Sequence, residues 1–101
     1  HVEKIIEIIF SHLVTILSEN GLEYDKYCNT DIPLDKRFGN YLYKMRELYE
    51  KEEPFIPKQI VLDYVAGMTD QYALQCAKEI IFPEPINFDR AEVYFKEDYP
   101  E

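Results

Sequence analysis

The stretch that decides the fold is Pro57 to Phe82, PKQIVLDYVAGMTDQYALQCAKEIIF, followed by Pro83. A proline suits the first helical turn, where its missing N–H would be unpaired, and a proline beyond the last turn stops the helix. Between the two prolines, apolar side chains recur at three- and four-residue steps, the period of one helical face. These positions are Val61, Val65, Met68, Tyr72, Cys76 and Ile80. The stripe keeps its phase through Gly67, so the pattern predicts one long helix over about 57–82, with any bend at the glycine.

Two further helices are predicted before this stretch. The first spans Val2 to about Asn20, and Gly21 provides a left-handed stop. The second begins near Pro33 and ends near Lys51. Gly39 lowers its helix propensity by about 0.8–1 kcal/mol relative to Ala, which points to a close approach by a neighbouring segment. The predicted inner faces are Ile5, Ile9, Leu13 and Ile16 or Leu17 in the first helix, and Phe38, Leu42, Met45 and Leu48 or Tyr49 in the second.

The sequence therefore predicts an all-α fold with three main helices, a long central third helix and an irregular C-terminal tail. A chain of 101 residues is one domain at most, so residues 1–101 are read as a single helical domain. Residues 87–101 are expected to form a loosely attached tail. A short helical turn around 89–94 and an edge strand over 91–96 remain equally open there.

The net charge and the cysteine content argue against several classes of function. The net charge is −9, from 20 acidic against 11 basic residues. No basic patch for phosphates is visible, which argues against nucleic acids and anionic membranes. Cys28 and Cys76 stand alone in different contexts, so a disulfide scaffold is not indicated, and Cys76 is expected to be a buried structural thiol. No apolar run approaches 20 residues, and a cytoplasmic location is expected.

Residues 63–73, DYVAGMTDQYA, resemble the DYxAGMTDxxA signature near the C-terminus of bacterial deoxyguanosine triphosphate triphosphohydrolases. These enzymes are HD-domain phosphohydrolases, and this part of them is called the phosphohydrolase-associated region. The resemblance covers Ile56 to Pro83. It implies a parent reaction in which a dNTP and water give a deoxynucleoside and triphosphate, with a divalent metal of the Mg or Mn type. It also implies an HD catalytic domain as partner, and a homo-oligomer. Because the chain opens on His1 without Met, it is expected to be the C-terminal part of such an enzyme.

The metal centre of these enzymes needs a His, a His-Asp pair and a further Asp. The chain has two histidines, His1 and His12, and neither precedes an aspartate. His12 flanks the apolar face of the first helix and is expected to be a surface or hydrogen-bonded side chain, not a ligand. No catalytic or metal-binding residue is therefore predicted, and the chain alone should not hydrolyse nucleotides.

The AGMTD segment has two interpretations, which the sequence leaves open. In one, small residues let another helix approach closely, and the Thr69 hydroxyl bonds the carbonyl four residues back; Gly67→Leu would then destabilise the fold. In the other, which the resemblance implies, the segment docks on the HD domain or lines its nucleotide pocket. The residues assigned to that role are Asp63, Tyr64, Gly67, Met68, Thr69, Asp70 and Tyr72. Gln71 stands where many relatives have Arg, which puts substrate preference in doubt.

An alternative of a different class is a stand-alone acidic helical adaptor, which would bind a partner helix in an apolar groove. An initiator Met just before Val2 would favour this alternative, and an HD motif encoded upstream would exclude it.

Overall fold

The computed structural model describes residues 2–82, and within that range the fold is all-α, as predicted. Five α-helices and one 3-10 helix follow one another, with no strand in this part of the chain. They are α1 (Val2–Asn20), the 3-10 helix (Tyr24–Tyr27), α2 (Pro33–Lys44), α3 (Arg46–Tyr49), α4 (Pro57–Val65) and α5 (Asp70–Ile81). The predicted tail at 87–101 lies outside the described residues.

Helix α1 supplies the inner stripe around which the other elements pack. Ile5, Ile9, Leu13 and Leu17 are buried at four-residue intervals. This stripe faces α4 and α5. The predicted bounds of α1 and its stop at Gly21 are confirmed, since Gly21 adopts a φ of 58°. The core is completed by Leu34, Phe38 and Leu42 of α2, Ile60, Val61 and Val65 of α4, Ala73, Cys76 and Ala77 of α5, and the tyrosines Tyr27 and Tyr49.

The prediction of a single helix over 57–82 is wrong, because the backbone departs from helical geometry between α4 and α5. Thr69 has an extended backbone, with φ −79° and ψ 163°, and its Oγ1 accepts a hydrogen bond of 3.1 Å from the N–H of Tyr72. Thr69 is thus the N-cap of α5, and does not bond back to an upstream carbonyl. A threonine cap stabilises a helix start by about 1 kcal/mol, whereas Gly67 disfavours continuation. Two separate helices can both pack on α1.

The second predicted helix is also divided. It begins at Pro33 with Ile32 at the N-cap and Asp35 in the first turn, as expected. The backbone departs from helical geometry at Met45, with φ −96° and ψ 11°, and the short α3 follows. This change of direction buries Tyr49 and leaves Leu48 exposed. Of the two residues that the sequence left open, Tyr49 therefore faces the core and Leu48 does not.

The connector between α1 and α2 is held against α2 by tyrosines. Tyr27 is buried and its hydroxyl donates to the carbonyl of Gly21 at 2.6 Å. Its Cβ lies against the bare Cα of Gly39, so closely that a Cβ at position 39 would overlap it. The close approach predicted at Gly39 is confirmed. A comparable contact at Gly67 is not found, because Gly67 is exposed and only the Tyr64 carbonyl, at 4.0 Å, lies near the position of a Cβ.

Candidate functional site

Polar and aromatic side chains from α2, α3, α4 and α5 form one layer along the face where these helices meet. We call this the tyrosine–arginine layer. It comprises Arg37, Tyr41, Tyr49, Asp63, Tyr64, Tyr72, Cys76 and Glu79. Three of the seven residues assigned from the sequence, Asp63, Tyr64 and Tyr72, belong to it. The other five members come from positions to which the sequence patterns assigned no site role.

Arg37 is the centre of one half of the layer. Its Nε donates to the Tyr72 hydroxyl at 2.8 Å, and one terminal nitrogen donates to Glu79 Oε1 at 2.8 Å. The second terminal nitrogen reaches Glu79 Oε2 at 3.4 Å, so the carboxylate is held by both arms of the guanidinium. Burial lowers the pKa of Arg37, but Glu79 and Tyr72 raise it by more, so that it lies above the ordinary value. Arg37 therefore fixes α2 to α5 as a permanent cation.

Cys76 lies beneath this pair and is fully buried, as predicted for a structural thiol. Arg37 donates to its Sγ at 3.6 Å. Burial raises the pKa of Cys76, and the neighbouring guanidinium offsets this only in part. A thiol in that state is neutral at physiological pH and a poor nucleophile. It packs in the core as a neutral thiol.

The other half of the layer is a directed chain of hydroxyl groups. Tyr49 donates to Asp63 Oδ2 at 3.3 Å, and its hydroxyl oxygen lies 2.6 Å from that of Tyr41. The Tyr49 hydroxyl has one proton, and it donates that proton in the hydrogen bond to Asp63. Tyr41 is therefore the donor in the bond between the two hydroxyl groups. Burial, with the Tyr41 hydroxyl and Asp63 beside it, raises the pKa of Tyr49 above its ordinary range. Tyr49 is therefore a neutral hydrogen-bond donor and not a base.

Tyr64 joins the two halves. Its ring centroid lies 4.7 Å from that of Tyr41 and 5.1 Å from that of Phe38. Burial raises the pKa of Tyr64, and a hydrogen bond with Tyr72 adds to the effect. Tyr64 and Tyr72 are thus engaged within the domain, which leaves them little freedom to stack on a ligand.

The remaining assigned residues lie on the link between α4 and α5 or at the first position of α5. Gly67, Thr69 and Asp70 are exposed, and Met68 is half-buried against the core. Asp63 also has an exposed side, although Tyr49 donates to it. The surface around the link thus presents the carboxylates of Asp63 and Asp70 and the Thr69 cap, while the two assigned tyrosines face inward. The structure separates the seven residues into an inner and an outer group.

Across residues 2–82 no group of three His, Cys, Asp or Glu side chains could hold a metal ion. His12 instead lies 2.7 Å from Asp35, its Nε2 facing Oδ1, while the Thr30 hydroxyl contacts the other carboxylate oxygen at 3.3 Å. His12 is thus a hydrogen-bonded side chain, as predicted. None of the helices in this range combines the length and apolarity that crossing a membrane requires.

Sequence reasoning missed Arg37 and Glu79 because they are 42 positions apart and meet only through the packing of α2 on α5. One signal was present, since Tyr72, Cys76 and Glu79 recur at four- and three-residue steps along one face of α5. A carboxylate on an otherwise apolar stripe indicates a cationic partner on a neighbouring helix. Tyr41 and Tyr49 carried no such signal.

The fold and the layer together define a small all-α domain in which hydrogen bonds and ring contacts join α2 to α5. Residues 36–79 match the family model of the phosphohydrolase-associated domain. The match covers less than half of the chain, and supports a phosphohydrolase-associated region from α2 to α5. It reaches further towards the N-terminus than the resemblance noted above, and it includes every member of the tyrosine–arginine layer. No curated protein and no solved structure matches the chain at a significant level.

Proposed function

We propose that this chain is the C-terminal helical domain of an HD phosphohydrolase and that it braces the catalytic HD domain. The observation that carries the proposal is the coincidence of the family match at residues 36–79 with the tyrosine–arginine layer. That layer holds α2 to α5 in one arrangement through a two-armed ion pair and a directed hydroxyl chain. A rigid domain of this kind suits the support of a neighbouring catalytic domain.

The parent reaction in this proposal is hydrolysis of a dNTP, with dGTP the first candidate, to a deoxynucleoside and triphosphate. Such a reaction needs a metal to activate water and to neutralise phosphate charge. Residues 2–82 do not fit a metal, because no three suitable ligands lie together in that part of the chain. The Mg or Mn type ion would therefore be held by the HD domain. The location of the parent is proposed to be the cytoplasm, and its assembly a homo-oligomer.

A role at the rim of the nucleotide pocket is confined to the outer group of residues. Asp63, Thr69 and Asp70 have exposed sides, whereas Tyr64 and Tyr72 are engaged in the layer. Two carboxylates repel a triphosphate unless cations stand between them. Contact with a bound nucleotide would therefore run through the Thr69 hydroxyl or the backbone of the link. Bracing is the primary role, and pocket contact is secondary.

The test mixes this chain with the separately purified HD domain of its proposed parent enzyme. We expect the unfolding temperature of the HD domain to rise, and triphosphate release from dGTP in the presence of Mg²⁺ or Mn²⁺ to increase. The chain alone should release none. Metal-dependent turnover by the pure chain, or an HD domain whose stability and activity are unchanged by it, would contradict the proposal. Parallel assays with the other three dNTPs define the preference of the parent.

A further inference from the structure

A cleft of about 230 Å³ opens between the 3-10 helix and α2. From α2 it is lined by Lys36, Asn40 and Tyr43, which follow one another at four- and three-residue steps along one face of the helix. From the 3-10 helix it is lined by Tyr24 and Asp25, among others. A second depression, of about 410 Å³, is lined by residues 22–26 alone. The cleft instead combines side chains from two elements, and no member of the tyrosine–arginine layer lines it.

The walls of the cleft are held in fixed positions. Tyr27 and Gly39 are both buried and both line the cleft, and the Cβ of Tyr27 lies directly against Gly39, so that they form its floor. The rings of Tyr24 and Tyr43 meet edge to face, with their centroids 5.3 Å apart. The Tyr24 hydroxyl donates to Glu50, while Tyr43 remains 50% exposed. A ligand therefore meets a preformed aromatic wall with ring surface free for contact.

The polar groups of the cleft are unpaired in the described part of the chain. Within residues 2–82 the Asp25 carboxylate and the Lys36 ammonium group form no ion pair, with each other or with another side chain, and the Asn40 amide makes no hydrogen bond. All three residues are exposed and so lie at the mouth of the cleft. The lining thus carries one charge of each sign, on opposite walls, in a chain whose net charge is −9.

Charge and size together select the ligand. A molecule with both an ammonium group and a carboxylate satisfies Asp25 and Lys36 at once, each through a charge-assisted hydrogen bond. A purely anionic ligand leaves Asp25 facing negative charge, and a purely cationic ligand leaves Lys36 facing positive charge. The volume lies below the roughly 300–1,000 Å³ of sites for drug-sized molecules, so the ligand has room for about one ring system. The tyrosine rings favour an aromatic one.

We propose that this cleft binds a free aromatic α-amino acid. The Asp25 carboxylate accepts from the ammonium group of the ligand. Lys36 and Asn40 are neighbours on one helical face, and both donate to its carboxylate. Its ring packs on Tyr24 and Tyr43. The inference goes beyond the proposed function and does not depend on it, since no residue of the AGMTD segment lines the cleft.

The experiment uses the absence of tryptophan from the sequence, because the indole fluorescence of L-tryptophan then reports its binding directly. The full chain is titrated into L-tryptophan, into tryptamine, which lacks the carboxylate, and into indole-3-propionate, which lacks the ammonium group. L-Tyrosine and L-phenylalanine are titrated by calorimetry. We expect a Kd of about 0.1–1 mM for L-tryptophan, as for a ligand of about 15 non-hydrogen atoms. Both indole analogues should bind about tenfold more weakly.

Matched variants separate the two charge contacts. Lys36→Gln should weaken binding of L-tryptophan about fivefold or more without weakening that of tryptamine, which has no carboxylate. Asp25→Asn should weaken binding of L-tryptophan to a similar extent without weakening that of indole-3-propionate. Lys44→Gln and Asp31→Asn remove the same charges at exposed positions outside the cleft, and should change Kd less than about twofold. All four positions are exposed, so the variants should fold, and circular dichroism checks this.

Several results would overturn the inference. One is that the wild type binds none of the three aromatic amino acids. Another is binding of L-tryptophan that Lys36→Gln and Asp25→Asn leave unchanged, and a third is binding of either analogue as tight as that of L-tryptophan. Adenosine monophosphate serves as an anionic competitor, and tighter binding of it than of L-tryptophan would assign the cleft to anions instead. None of these outcomes changes the test of the HD domain, which is carried out separately.

Discussion

Replacing Gly39 by alanine tests how tightly α2 and the 3-10 helix are packed. A Cβ at this position would overlap the Cβ of Tyr27. That atom cannot swing aside, because it adjoins the backbone and because the Tyr27 ring is buried with its hydroxyl bonded to Gly21. The 3-10 helix as a whole must therefore move away from α2.

The magnitude follows from three contributions. Alanine gains about 1 kcal/mol of helix propensity over glycine. Overpacking costs about 1–3 kcal/mol, and a displaced Tyr27 loses a hydrogen bond that contributes about 1 kcal/mol. The variant should therefore be about 2 kcal/mol less stable. For a domain of this size, that lowers the unfolding temperature by about 10 °C.

The assay is thermal unfolding followed by circular dichroism, with Gly67→Ala as the matched control. Position 67 is open, so the same added methyl group should change stability by less than about 0.5 kcal/mol. If Gly39→Ala unfolds at the temperature of the wild type, the contact with Tyr27 yields freely and the reasoning is refuted. The prediction that Gly67→Leu is costly is wrong, because no neighbouring helix within residues 2–82 lies close to position 67.

Three further predictions concern the cap, the ion pair and the tyrosines. Thr69→Ala should destabilise the fold by about 1 kcal/mol in urea unfolding and speed exchange of the Tyr72 amide, while Thr69→Ser retains the cap; equal stability of both variants would contradict the capping role. Glu79→Gln should cost about 1 kcal/mol, since the pair with Arg37 is partly exposed, and the difference should shrink in high salt; a salt-independent loss would point to shape and not charge. Burial and the neighbouring Glu50 raise the pKa of Tyr24 to about 12, so its contribution is complete below pH 10 and is lost as pH rises to 12. Tyr24→Phe should flatten the fall in unfolding temperature over that interval, and an unchanged profile would contradict the assignment.

Helix positions that depend on local chemistry could be predicted from the sequence. Periodicity placed α1 and its buried stripe, Gly21 marked its end, and Pro33 with Asp35 marked the start of α2. Gly39 was predicted to mark a close approach, although not by which residue. Each of these features is decided by side chains within a few positions of one another.

The break between α4 and α5 was missed because periodicity alone cannot detect it. The apolar stripe keeps its phase across the link, while the competing signal, Thr69 followed by Asp70, is a short capping pattern that also occurs inside helices. Burial on α1 from two directions favours the broken form, and burial is a property of the whole fold. The pairing of Arg37 with Glu79 was missed for the same reason, since it forms only when α2 and α5 are in place.

The open link between α4 and α5 has a consequence for how this domain tolerates change. Ala66 and Gly67 are exposed. Helix α4 ends with a hydrogen bond from the Ala66 N–H to the Leu62 carbonyl, and α5 begins at its own Thr69 cap. Added residues at this point should cost little, because each doubling of loop length costs only about 0.6 kcal/mol. The domain itself therefore places almost no demand on the side chains at these two positions. Any constraint on these two side chains therefore comes from a molecule that contacts the link. An insertion at the link tests that constraint separately from folding.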